Sequence, residues 1–187
     1  SDARKIARSL SAFANNDGGR LLIGVKDNGV IAGVRNEEDI YVVEQAAGMY
    51  CVPPQEIHVT AFKTEGGLTV MRVEIDRAPV RPVHVKEQGG ELKAYYRVRD
   101  ENIVAPQLMV KAWITASSDN GTIVEITPAG RKLLEMASAD EGVTLEQFMV
   151  SAHVSQLTAE ELAVSLYGMG LIDFVYTGHH FTLKTLG

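Results

Sequence analysis

Near the start of the chain, Ile6, Leu10 and Phe13 recur at spacings of four and three, which puts them on one face of a helix, while Arg4 and Arg8 fall together on another. The stripe stops at Asn15-Asn16-Asp17-Gly18-Gly19, residue types that tolerate left-handed backbone and close helices, so the helix is expected to end near Asn16. Leu21, Leu22, Ile23 and Val25 then form a nearly continuous apolar run of strand length. Asp27-Asn28-Gly29 contains the Asn-Gly pair of tight hairpins, which predicts that Val30 to Val34 pairs back antiparallel.

Asn36 reads as a helix cap, with Glu37, Glu38 and Asp39 placed in a first turn where carboxylates suit the helix dipole. Ile40, Val43, Ala47 and Tyr50 continue that helical stripe until Pro53-Pro54 ends it. Val59 to Lys63 and Leu68 to Asp76 flank Glu65-Gly66-Gly67 as a second hairpin, with Met71, Val73 and Ile75 on one face. A helix from Ala105 to Thr115 is expected to close the unit. Antiparallel strands with a few covering helices give an α+β class.

Two stretches carry a family resemblance. FANNDGGRLLIGVKDNGVIAGV, from Phe13 to Val34, resembles the DNA-binding domain of the Schlafen and AlbA-like family. RPVHVKEQGGELKAYYRVRDENIVA, from Arg81 to Ala105, is similar to that family's later signature: a Pro-initiated strand, a Gly turn, a strand ending in Tyr-x-Arg-Val, and a polar turn into a helix. The resemblance implies a sheet-and-helix domain over residues 1–116 that binds nucleic acid. It also implies a strand ahead of the first helix, so the sequence beginning at Ser1 is expected to be a piece of a longer chain.

The C-terminal third has its own layout. Pro128 to Met136 reads as a helix, and Thr144-Leu-Glu-Gln147 and Thr158-Ala-Glu-Glu161 match the capping-box pattern that starts two more. Leu162, Leu166 and Met169 form the expected buried stripe of the third, after which Leu171 to Tyr176 and His180 to Lys184 flank Thr177-Gly178-His179 as a hairpin. Three helices and a hairpin resemble a winged helix, over residues 123–187. The polar stretch 115 to 122 has linker composition. Charge divides at the same place: up to Ser117 there are 15 Lys plus Arg against 15 Asp plus Glu, and beyond it 3 against 9, so all the net charge of −6 lies in the last 70 residues.

These patterns narrow the chemistry. Tyr95, Arg97 and Arg99 alternate along a predicted strand and so share a face, and an aromatic ring beside two guanidiniums suits a phosphate backbone and unstacked bases. Arg4, Lys5 and Arg8 on the first helix, with Arg81, Lys86 and Lys93, would extend a basic surface; the alternative is a solvated sheet face paired with Glu74, Asp76, Glu87 and Asp100. Gly18-Gly19-Arg20 follows a helix and lacks the Gly-Lys-Ser/Thr of a phosphate loop, so these glycines read as turn residues even though relatives are described as divergent ATPases. Some Schlafen proteins cleave RNA with clustered carboxylates, one following the Gly-Val of the first strand; here Lys26 stands there, with Asp27 one place later. The five histidines form no metal pattern, and Cys51 has no base beside it.

No apolar run approaches the ~20 residues of a membrane span, and a single cysteine forms no internal disulfide, so the expected setting is cytoplasmic. Glu160, Glu161 and the absence of Lys or Arg between Lys132 and Lys184 argue against duplex contact by the third C-terminal helix, which is expected instead to contact protein or a second copy. The expected function is therefore non-catalytic nucleic-acid binding in transcription regulation, with no cofactor and with DNA favoured over RNA. Its rivals are a protein-interaction or oligomerisation module and a nucleotide-binding ATPase-like protein.

Overall fold

The apolar stripe at the N-terminus becomes helix α1 (Ala3–Ala14), which touches both sheets of the first of two units, Ser1–Ala105 and Pro106–Gly187. The computed structural model describes residues 3–35, 37–118 and 125–187; the Asn36 cap and much of the expected linker lie outside the described residues.

In the first unit, α1 is followed by β1 (Gly19–Ile23), α2 (Glu37–Gln45) with a π-helical turn at Ala46–Tyr50, and β2 (Cys51–Val52). Five further strands complete it: β3 (His58–Lys63), β4 (Thr69–Ile75), β5 (His84–Lys86), β6 (Leu92–Val98) and β7 (Glu101–Val104). They form two antiparallel sheets, ordered β1-β4-β3 and β2-β5-β6-β7. Ile6, Ala7, Leu10 and Ala14 of α1 pack with Val43, Ala47, Val73, Ile75, Val83 and Val85 in one core. Burying a side chain such as Leu10, fully removed from solvent, is worth ~1.5–3 kcal/mol.

Three expectations change here. Val30–Val34 does not form a strand on β1, which pairs with β4 instead. Gly24, at φ +95°, turns the chain so closely that a Cβ there would lie 2.9 Å from Gly33, and the return makes one bridge, Val25 to Ile31, before the Val34 N–H is donated to Thr69 O. The stretch expected as a polar turn into a helix forms β7: Asn102-Ile103-Val104 is too short to show alternation by itself, and its pairing with β6 supplies the strand. The helix expected to close this unit, α3 (Gln107–Ser117), belongs to the second unit, where it packs on α6, so the division falls at Ala105/Pro106 rather than after residue 116.

The second unit continues with α4 (Pro128–Ala137), α5 (Leu145–Ala152), α6 (Gln156–Gly168) and the hairpin β8 (Ile172–Thr177) with β9 (His180–Thr185). Trp113, Leu133, Phe148 and Leu166 are buried in it. Thr144 and Gln147 form the expected capping box at α5. At α6, however, Ser155 is the cap, accepting from the Thr158 N–H at 3.2 Å; Thr158 already lies inside the first turn, because the serine three residues earlier reaches the orphan donors first. Val143 bridges Leu183 along the other edge of β9, adding one residue pair beside the hairpin.

Cys51 sits at the start of β2 with 1 % of its surface exposed, and burial pushes its thiol up to about 12. Because the thiolate is the reactive form, a disulfide reagent at pH 8 is expected to label the native protein no faster than it unfolds and to label it at once in denaturant. Rapid labelling of the native state would place Cys51 outside this core.

Candidate nucleic-acid interface

The residues expected to contact phosphate converge on one feature, the seam between α1 and the strands β5 and β6. Side chains four apart on a helix lie one above the other, so Ser11 and Asn15 form a buried polar pair beside the apolar stripe, both with no exposed surface. Ser11 Oγ donates to Val83 O at 2.7 Å and accepts from the Tyr95 N–H at 3.1 Å. Asn15 Nδ2 donates to Val83 O at 3.0 Å and Tyr95 O at 2.9 Å, while its Oδ1 accepts the Val83 N–H at 2.7 Å. The amide of one side chain thus takes the place of a neighbouring strand, satisfying backbone groups that would be costly to bury unpaired. Asn16 adds a bond from Nδ2 to Arg97 O at 3.1 Å.

Arg4 and Arg8 lie along the same helix. Arg8 grips the Glu87 carboxylate with both ends of its fork, Nε to Oε1 at 2.9 Å and Nη2 to Oε2 at 2.7 Å, and the Tyr95 hydroxyl donates to Oε1 as well. The Arg8 hydrogen bonds hold the Glu87 carboxyl down at about 2 against the opposing effect of burial. Burial, with the adjacent carboxylate, pushes the Tyr95 phenol up to about 12, and Arg8 is raised by its bond to Glu87. Arg4 donates from Nε to Lys86 O at 3.3 Å and lies 4.7 Å over the Tyr50 ring. Arg97 donates to Asn102 Oδ1 at 2.7 Å and to Arg99 O at 3.1 Å, with its guanidinium 5.2 Å over the Phe13 ring. Asn102 reaches back to Ser9 Oγ at 3.0 Å.

Arg4, Arg8, Tyr95 and Arg97 are therefore brought together along α1, with two corrections. Tyr95 is 8 % exposed and its hydroxyl is engaged by Glu87, so the ring is part of the core and does not present a face on which a base could stack. Arg99 does not share a strand face with Arg97: β6 ends at Val98, and Arg99 adopts a left-handed φ of 55° in the turn to β7, exposed to solvent like Lys5. Of the carboxylates expected to pair the basic face, Glu87 holds Arg8, while Glu74 pairs Arg20 and Arg72 on the other sheet.

Gly18 behaves as the turn residue expected, whereas Gly19 already opens β1, paired with Ile75. A Cβ at Gly18, where φ is +79°, would sit 2.7 Å from Ile75 O, and one at Gly19 would meet the Phe13 ring at 2.5 Å. Among the described residues, no three His, Cys, Asp or Glu side chains are placed to share a metal ion. Glu87 was expected only as a pairing carboxylate, Asn15 only as a residue that closes the helix, and Ser11 not at all; the available signal was a Ser and an Asn four apart beside an otherwise apolar helix face.

The family model Schlafen, AlbA_2 matches residues 1–106, the span that contains both sheets and the whole seam. The chain belongs to this family. The Schlafen, AlbA_2 family is associated with nucleic-acid-binding proteins, and the two signature stretches supply opposite sides of the seam: Asn15 and Asn16 from the first, Val83, Glu87, Tyr95 and Arg97 from the second. Among solved structures, the chain is similar to the DIP2311 protein from Corynebacterium diphtheriae, with 21% identity and a TM-score of 0.48, over 91% of this chain and 28% of that one. It thus spans under a third of that protein's length. No curated protein matches the sequence.

Two outcomes follow for stability. Asn15→Ala strands buried groups on Val83 and Tyr95 and is expected to cost ~2–4 kcal/mol in urea unfolding, against ~1 kcal/mol or less for Asn16→Ala; equal effects would contradict the seam. Glu87 titrates at about 2 when folded, below its ordinary 4.5, so its contribution is present above about pH 5 and lost as pH falls toward 2. Glu87→Gln is expected to flatten that acid limb of the stability curve, and an unchanged limb would show that the Arg8–Glu87 bond does not hold in solution.

Proposed function

We propose that the chain acts by binding nucleic acid without catalysis, with DNA as the partner, in transcription regulation in the cytoplasm. The observation that supports this reading is the row of cations along α1 and the end of β6. A guanidinium carries five N–H donors; Arg8 commits Nε and Nη2 to Glu87 and Arg97 commits Nε and Nη1, which leaves donors on both for phosphate oxygens. Arg8 keeps 40% of its side chain exposed, and Lys5 and Arg99 are exposed. The internal bonds fix where these groups point, so less side-chain freedom is lost when a phosphate is bound. Tyr95 contributes by holding Glu87, and through it Arg8, rather than by touching a base.

A second reading concerns the second unit. Its helices α4 to α6 and the hairpin follow the winged-helix layout, in which α6 would be the groove-reading helix. Here α3 lies along α6, and Lys111 bonds Glu160 at 3.2 Å near its start. A helix covered in this way and bearing Glu160 and Glu161 is suited to protein contact, including contact with a second copy, and we assign nucleic-acid binding to the first unit alone.

Fluorescence anisotropy with labelled DNA at about 50 and about 200 mM salt tests the proposal. The parent is expected to bind with steep salt dependence, and an Arg97→Ala, Arg99→Ala variant to bind more weakly with a slope shallower by about two, one for each phosphate contact removed. Unaltered affinity in that variant would rule out this surface. Calorimetric titration with ATP and magnesium separates the ATPase-like alternative, for which binding at millimolar nucleotide is required.

A further inference from the structure

The sheet β1-β4-β3 has a second face that the core does not use. Leu21, Ile23, Val73 and Ile75 turn inward to the α1 side, so their neighbours along each strand turn outward. Strand register places Arg20, Glu74 and His58 in one cross-strand row, Leu22, Arg72 and Thr60 in the next, and Val70 with Phe62 in the third. Leu22 is 50% and Phe62 44% exposed, and every residue of β3 is exposed. The Arg72 guanidinium lies 5.0 Å over the Phe62 ring, and Glu74 Oε1 holds both Arg20 at 2.9 Å and Arg72 at 3.3 Å.

We propose that this outer face, centred on Phe62 and Arg72, is a platform for an unpaired nucleotide strand. The proposal rests on the nucleic-acid reading above but concerns a different surface and a narrower ligand. An exposed ring layered with a guanidinium offers a base two stacking partners, which is how single strands are held without sequence readout. Arg20 and Arg72 exceed Glu74 in charge, so the face is complementary to phosphate. A protein partner would have to bury Glu74, a residue type depleted from the centres of protein interfaces. A duplex is also poorly matched, since its bases are already stacked and leave the ring nothing to stack on.

The test compares a labelled mixed-sequence single-stranded DNA with the matching duplex at low salt, using the whole chain and Phe62→Ala, Phe62→Tyr and Arg97→Ala, Arg99→Ala variants. Phe62→Ala is expected to weaken single-strand binding about ten-fold and to leave duplex binding within about two-fold; Phe62→Tyr, which keeps the ring, should bind single strands as the parent does. Phe62→Leu, which keeps apolar bulk at the same strand position, replaces Phe62→Ala if the latter's thermal midpoint drops, and is expected to show the same loss. Single-strand binding that is unchanged in these variants, or lost equally for duplex, would overturn the platform while leaving the α1 surface standing. Failure of the parent to bind either DNA would overturn the nucleic-acid reading and this inference with it. Pairing of β3 with another polypeptide strand, seen as Phe62-dependent self-association without DNA binding, would also overturn it.

Discussion

The first unit depends on the side chain of Asn15. The β5–β6 ladder begins at His84 and Ala94, and at the next position, Val83 and Tyr95, the Asn15 amide supplies a donor and an acceptor in nearly the arrangement of a peptide group. Ser11, one turn earlier, takes the Tyr95 N–H and returns its own proton to Val83 O. Neither residue has exposed surface, so the bonds form where water cannot substitute and their loss is not recovered by solvation. Small residues around them, Ala7, Ala12 and Ala14, let the helix approach closely enough for these short side chains to reach.

Everything positioned along the seam inherits that approach. The Arg8–Glu87–Tyr95 group is not in itself an argument for stability, because taking charges out of water offsets much of their attraction. Its consequence is geometric: a bidentate pair fixed by a buried phenol allows Arg8 one orientation, and Arg97 is likewise set by Asn102, Phe13 and the carbonyl of Arg99. The left-handed backbone at Arg99 ends β6 and turns its side chain away from the sheet alternation. Arg8 and Arg97 are thus fixed members of the seam, while Lys5 and Arg99 are exposed to solvent.

Periodic features were legible in the sequence. The spacing of Ile6 and Leu10 gave the buried face of α1, alternation at Met71, Val73 and Ile75 gave the inner face of β4, and the Thr144 capping box marked α5. What the sequence did not convey was set by partners distant along the chain. Val30–Val34 has the local chemistry of a hairpin strand, yet β4 arrives some fifty residues later and takes the pairing position on β1. Tyr95 looked like a surface aromatic beside two arginines because nothing local reveals that Glu87 will reach its hydroxyl. Asn15 read as a helix terminator, which it is, but its buried role exists only once Val83 is beside it.

The most direct test of this account is native-state hydrogen exchange at two amides, Val83 and Tyr95. Both N–H groups are donated to side chains, Asn15 just past α1 and Ser11 within it, rather than to a backbone carbonyl. The account predicts that they exchange only through global unfolding, with protection equal to that of the central β4 amides, and that Asn15→Ala lowers Val83 protection beyond its effect on global stability. Exchange of Val83 and Tyr95 on the timescale of exposed loops, with β4 still protected, would mean that α1 is not held to these strands by Ser11 and Asn15.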